Sequence, residues 1–327
     1  MRYCTSKSYI YKVCFPMINK LYSQWFIGIS ILLSSVGCSA HEYTVKRVAA
    51  GIFYHQGVHE EPSEANMGAI ANVGFIIGER CIAVIDSGGS YLEGENLYRA
   101  VREQSDLPIC YVINTHVHPD HLFGNAAFKS TDTKFIGHEK LPAAIAARES
   151  FFSKTFKETL GKAYTGTEFI SPSITVAIGS PKTIELGNRQ LILTAYSTSH
   201  TDHDLTVLDK NTNTLWTGDL LFMGRIPVMD GSINGWISTM KTLQSMTLDN
   251  VIPGHGEASN DKWQKGLEAQ LHYFELIRDE IRVIINDMGT IEQASKQVGL
   301  SEEGKWELFP DYHRRNITAS FVELEWE

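Results

Sequence analysis

The chain has 327 residues, enough for one large or two small domains, and its 43% hydrophobic content is ample for a buried core. It carries 29 basic and 38 acidic residues; four of the basic ones lie in the first 40 positions, so the remainder sets 25 against 38 and stands near −13. A body this acidic lacks the positive footprint that displaces counterions from phosphates, which argues against nucleic acid as a partner.

Residues 1–40 differ in kind from the rest. Arg2, Lys7, Lys12 and Lys20, with no acidic residue among them, precede an apolar run from Trp25 to Val36, the layout of an export signal. The run falls short of the ~20 residues that a membrane-spanning helix needs. It ends in Ser35, Val36, Gly37 and Cys38, which resembles a bacterial lipoprotein box with Cys38 as the lipid anchor; cleavage after Ala40 is the alternative. Both place the body, from residue 41 on, outside the cytoplasm, in the periplasm or held to a membrane by lipid.

Gly51 to Tyr54 and Ala71 to Ile77 read as strands, and the polar loop between them holds His55, His59 and Glu60 as groups that can meet a substrate. The run Ile82 to Gly89, I-A-V-I-D-S-G-G, reads as a strand ending in Asp86, with a helix to follow over Glu93 to Arg102. Ile109 to Ile113 is a short apolar run, and straight after it comes T-H-V-H-P-D-H, four potential metal ligands in seven residues. Imidazoles and carboxylates are costly to bury unpaired, and such density suits two divalent ions. His116 and His118, two apart, leave the same face of an extended chain, whereas a turn into helix at Pro119 sends Asp120 and His121 to a second position.

Helices are predicted over Leu122 to Phe128, Leu141 to Arg148 and Gly235 to Met246, the last with Ser232 as a cap. Three strand-like runs supply further ligands: Leu191 to His200 delivers His200, Leu215 to Asp219 delivers Asp219, and Val251 to Gly256 presents His255 between two glycines that tolerate unusual dihedrals. Leu205 to Asp209 and Leu215 to Thr217 form a hairpin. Beyond His255 the pattern turns helical. Trp263, Leu267, Leu271, Phe274, Ile277, Ile281 and Ile284 form a stripe with 3.6-residue period ending near Gly289, and Tyr312 to Trp326 forms a final amphipathic stretch with Arg314 and Arg315 solvated or paired. The expected organisation is an α/β four-layer αββα sandwich over 41–260, with a helical extension over 261–327 packed on it.

The ligand order, H-x-H-x-D-H followed by His, a bridging Asp and His, resembles the metallo-β-lactamase fold superfamily. The resemblance implies that His116, His118 and His200 hold one zinc ion, that Asp120, His121 and His255 hold a second, and that Asp219 touches both. It further implies that Asp86 orients the ligand loop from behind, that the strands begun by Cys81 and Cys110 are neighbours, and that the loop of His55 and His59 overhangs the metals. The two cysteines then either pair in an oxidising compartment or stand as buried thiols. Val58 to Asn66, Gly78 to Gly89, the S-H-T-D-H-D run at 199–204 and the segment 218–232 resemble the quinoprotein relay system zinc metallohydrolases, extracytoplasmic relatives of the glyoxalase II type.

Two divalent cations bring the pKa of a shared water near ~7, so a hydroxide nucleophile is available without serine or cysteine, with Asp120 and Asp219 as its orienting catalytic groups. The expected function is hydrolysis of a small carbonyl compound, an ester or thioester, linked to alcohol oxidation by a quinoprotein dehydrogenase. The alternatives are a non-haem iron persulfide dioxygenase using His116, His200 and Asp219, a β-lactamase, and a metal-binding accessory protein of the dehydrogenase. Asp219 stands where many zinc β-lactamases place Cys. The C-terminal helices show no cluster of basic and tyrosyl groups like that of the hydroxyacylglutathione hydrolases, which leaves Arg225 as the anion anchor near the metals.

Overall fold

The computed structural model describes residues 43–327. The export signal, Cys38 and the cleavage position after Ala40 lie outside the described residues. Seven strands, β1 (Lys46–Ala49), β2 (Ile52–His55), β3 (Val73–Ile77), β4 (Ile82–Ile85), β5 (Ile109–Ile113), β6 (Lys134–His138) and β7 (Ile174–Val176), form one sheet in that order. A second sheet has the order β12-β11-β10-β9-β8, from β8 (Lys182–Glu185), β9 (Gln190–Ala195), β10 (Leu205–Asp209), β11 (Thr214–Phe222) and β12 (Asn250–His255).

The sheets pack face to face because period-two alternation turns one apolar row of each inward: Ile52, Ile76, Ile85, Ile113 and Ile136 meet Leu193, Val207, Trp216 and Ile252. Each such side chain, fully buried, contributes about 1.5–3 kcal/mol. Alternate residues of the first sheet, among them Phe75, Val84 and Val112, face outward onto Leu97 and Val101 of α1 (Tyr91–Gln104). Strand β11 is buried along its whole length, since Trp216 faces the other sheet while Leu215 faces the helices. The sandwich is therefore αββα, as expected.

α1 starts where Ser90 accepts a hydrogen bond from the Glu93 amide at 3.1 Å. After β5 the chain makes a single turn, α2 (Pro119–Leu122), and then a separate 3-10 turn over Asn125–Phe128. The helix expected over Leu122 to Phe128 does not form as one piece. Gly124 lies between the turns, packed so tightly on Gly94 of α1 and the Ser87 carbonyl that a Cβ there would stand 2.0 Å from the Ser87 oxygen. α3 (Leu141–Leu160) continues three turns past Arg148, because Phe152, Phe156 and Leu160 extend its apolar face.

α4 (Ile233–Gln244) begins at the Ser232 cap, whose hydroxyl accepts from the Gly235 amide at 2.9 Å. α5 (Trp263–Asn286) buries every residue of the predicted stripe against α4 and β11. α6 (Ile291–Gln297) was not expected, and α7 (Phe309–Leu324) closes the chain. Glu323 of α7 accepts from the Ile233 amide at 2.7 Å and from the Ser232 hydroxyl at 2.8 Å, placing a carboxylate at the positive end of α4. Residues 43–327 form one compact unit, and among them no helix is long and apolar enough to cross a membrane. Cys81 and Cys110 form a disulfide between the neighbouring starts of β4 and β5, with Cα atoms 5.8 Å apart.

Candidate metal centre

Every residue of the ligand set leaves the same end of the two sheets. The first sheet supplies the loop after β5, with His116, His118, Asp120 and His121; the second supplies His200 after β9, Asp219 within β11 and His255 at the end of β12. The parallel pairing of β11 with β12 sets Gly218 opposite Pro253 and Phe222 opposite His255. Gly254 sits between them for want of space: a Cβ on it would stand 1.9 Å from Asp219 Oδ1. Of the two glycines flanking His255, only Gly256, at φ +95°, adopts an unusual dihedral.

Two groups of ligand atoms result, each within 4.8 Å: His116, His118, His200 and Asp219, and beside them Asp120, His121 and His255. His118 Nδ1 lies 3.0 Å from His116 Nε2 and 3.1 Å from His200 Nε2. Asp219 Oδ2 lies 3.5 Å from His200 Nε2, 3.7 Å from His116 Nε2 and 3.4 Å from His255 Nε2. Asp120 Oδ2 is 3.4 Å from His255 Nε2 and 3.7 Å from His121 Nε2. An ion held tetrahedrally at about 2.0–2.1 Å has ligands about 3.3–3.4 Å apart, so these spacings fit two ions sharing Asp219.

Each imidazole is fixed by what its other nitrogen meets. His121 Nδ1 bonds Asp86 Oδ2 at 2.8 Å, His200 Nδ1 the Val228 carbonyl at 2.8 Å, and His118 Nε2 bonds Asp230 Oδ2 at 3.0 Å. His116 Nδ1 meets the Thr115 hydroxyl at 3.0 Å, and that hydroxyl and its amide both donate to Asp86, at 2.8 Å each. His255 Nδ1 lies 2.7 Å from the Ile70 carbonyl and 3.1 Å from Arg225 Nη1. The shorter contact requires a proton on Nδ1, so it donates to Ile70 and accepts nothing from Arg225. In its neutral form each of the five imidazoles thereby turns a nitrogen with a free lone pair to the cluster.

The electrostatics agree. Burial pushes His116 well down and His200 down to about 3, keeping both neutral. Burial also opposes charge on His121, but Asp219, Asp120 and Asp86 outweigh it and hold its pKa well above the ordinary value, so a cation bound there takes the place of a proton on Nε2. Burial likewise disfavours an ionised Asp219, yet the surrounding imidazoles keep it well below the carboxylate range. His121 Nε2 and Asp219 Oδ1, 3.0 Å apart, are both buried without hydrogen-bond geometry between them or to any other group. A divalent ion answers both orphans, so the residues present fit a metal pair.

The Metallo-beta-lactamase superfamily model matches residues 67–255, more than half of the chain and all seven ligand positions. The protein belongs to the metallo-β-lactamase superfamily. This superfamily member is similar in structure to a metallo-beta-lactamase from Pontibacter korlensis, at 17% identity over 70% of this chain and 98% of that one, TM-score 0.56. The sec-alkylsulfatase Pisa1 from Pseudomonas sp. matches at 14% identity over 86% of this chain and half of its own, TM-score 0.69. The DIM-1 metallo-beta-lactamase matches at 16% identity over 71% and 97%, TM-score 0.55. At these identities the likeness concerns the fold. No curated protein matches the chain by sequence.

Above the ligands of this superfamily member opens a cavity of about 570 Å³ lined by His118, Asp120, Asp219 and His255. The loop between β2 and β3 overhangs it through Glu61, Pro62, Gly68 and Ile70, and Asn72 fastens that loop by donating to the Pro253 and Gly256 carbonyls at 2.9 and 2.7 Å. His55 and His59 do not line it. His55 is stacked on Tyr43 at 3.9 Å and bonded to the Thr44 carbonyl, and His59 is drawn to Glu307 at 3.0 Å. Arg225 does line the cavity, buried, with its guanidinium over the Tyr312 ring at 5.2 Å. Tyr312 and Arg315 of α7 join it, so the C-terminal helices do bring basic and tyrosyl groups to the site. The sequence carries no sign that Asp230, Tyr312 and Arg315 belong to the site, because only the docking of α7 and the loop after β11 brings them here.

Proposed function

We propose that the protein is an extracytoplasmic dinuclear zinc hydrolase that cleaves a small ester or thioester bearing an anionic group. The observation that carries this reading is a seven-ligand cluster forming the floor of a cavity in which Arg225 is buried, with no carboxylate within 4.0 Å of its guanidinium among the described residues. A buried cation without a counter-ion is costly, and an anionic substrate supplies the partner. Zinc is the metal suited to this His-rich, tetrahedrally spaced donor set.

Zinc ions held by these residues supply Lewis acidity and lower the pKa of water towards ~7. The chain's own groups then do the rest. Arg225 holds the anion and sets the scissile carbonyl over the cluster. Asp120, the ligand carboxylate more open to the cavity at 16% exposure against 4% for Asp219, takes the proton of the attacking water on Oδ1, the oxygen not turned to His121 and His255. The loop from Glu61 to Ile70 covers the site and limits bulk water. The export-signal layout and the Cys81–Cys110 disulfide support a location in an oxidising compartment. The resemblance of segments 58–66 and 218–232 to quinoprotein-associated relatives supports a substrate that arises from alcohol oxidation.

The test is elemental analysis followed by a substrate panel. Two zinc ions per chain, turnover of carboxylate-bearing esters or thioesters, and loss of at least about a thousandfold in Asp120→Ala are expected. Zinc-replete protein that leaves every ester and thioester intact overturns the reading, as does iron content with oxygen uptake on glutathione persulfide.

A further inference from the structure

The cavity over the metal ligands has two unlike walls. One carries the cations Arg225 and Arg315 beside the neutral Tyr312, with Glu61 also on the lining; the other is α3, which contributes Phe151, Phe152 and Phe156. Positions 151, 152, 155 and 156 share one helical face, and Thr155 lines the cavity with them. Arg148, one turn earlier on that face, is occupied by Asp230 at 3.4 Å.

The aromatic wall is held from behind. Phe152 and Phe156 pack edge-on against Phe123, a fully buried ring, at centroid distances of 6.2 and 5.4 Å, and lie 5.9 Å from one another. Phe151 continues the surface outward, 5.9 Å from Phe152, and is 64% exposed. A large ring left in water beside two others that face a cavity is apolar surface that a wholly polar substrate would leave uncovered.

We propose that this face of α3 is a binding subsite for a hydrocarbon chain or aryl group, so that the substrate is an amphipathic anionic ester, its charge towards Arg225 and its apolar part along Phe151, Phe152 and Phe156. The inference rests on the hydrolase reading for the reaction, but the subsite itself is a statement about binding. The charged wall fixes one end of the ligand and the aromatic wall selects the other, which makes chain length the measured variable.

Calorimetric titration of the purified protein with straight-chain carboxylates from acetate to octanoate tests it. Burial of a methylene is worth about a fourfold gain in affinity, so Kd is expected to fall about two- to fourfold per carbon. Phe151→Ser, at an exposed position that the fold does not need, and Phe156→Ser are each expected to cut that dependence by half or more. A Kd independent of chain length, or a dependence that survives both substitutions, overturns the subsite. Chain-dependent binding with no ester cleaved keeps the subsite and removes the hydrolase; cleavage at rates indifferent to chain length does the reverse.

Discussion

Asp230 Oδ2 sits 3.0 Å from His118 Nε2, on the side of the imidazole away from the ligand atom Nδ1. His118 is the least enclosed histidine of the cluster, with 17% of its side chain exposed, so its orientation depends on this carboxylate more than on packing. Arg148 touches the same oxygen at 3.4 Å and couples the helix that walls the cavity to a metal ligand. Asp230→Asn is expected to weaken the first metal site about 10- to 100-fold. Competition with a chromophoric chelator measures this, and an unchanged zinc affinity would remove the role given to Asp230.

Arg225 makes a second prediction. Removing a charged hydrogen bond to a substrate carboxylate costs about 1.5–3 kcal/mol, so Arg225→Met is expected to raise KM for carboxylate-bearing esters about 10- to 100-fold. KM for neutral esters of the same alcohol should stay near the wild-type value. Equal losses on both substrate sets would mean that Arg225 serves the fold instead.

Glu93 gives a pH dependence. Its carboxyl is buried, which is the main reason its pKa rises to about 8, and Asp120 adds to the rise while the Gly89 amide, 2.6 Å away, opposes it. The unfolded chain releases this proton near ~4.3. Between these values the folded state binds more protons than the unfolded one, so the contribution of Glu93 to stability falls as pH rises from about 4.5 to 8 and levels off above. Urea unfolding of metal-free protein across that window checks the sign, and Glu93→Gln should flatten the slope.

Removing the disulfide should be felt in stability alone. The bridge closes a loop with a sequence separation of 29, for which chain entropy predicts about 3–4 kcal/mol. Cys81→Ser with Cys110→Ser is expected to lower the unfolding free energy by up to that amount while zinc stoichiometry holds. A loss of zinc in the folded double variant would show that the bridge also positions the ligand loop.

The cluster positions were legible because each lies in or just after an apolar strand run that announces it, and because four of them crowd between Thr115 and His121. Asp86 was legible for the same reason. His55 and His59 misled: composition carries no record of which partner claims a side chain, and the structure ends β2 at His55, bonded to the Thr44 carbonyl, while Glu307, far along the chain, claims His59. Strands β7 and β8, at three and four residues, are too short for alternation to register. The reach of α3 was cut at Arg148 because the charged stretch that follows interrupts the apolar period, which resumes at Phe152.

The ligand cluster straddles the seam of the sandwich, four of its residues hanging from one sheet and three from the other. A cation bound there acts as a rivet between the halves, and its grip gauges how squarely they are seated. Trimming an inter-sheet side chain such as Ile136 or Val207, neither of them a ligand, should therefore loosen the ion through a slight splaying of the layers.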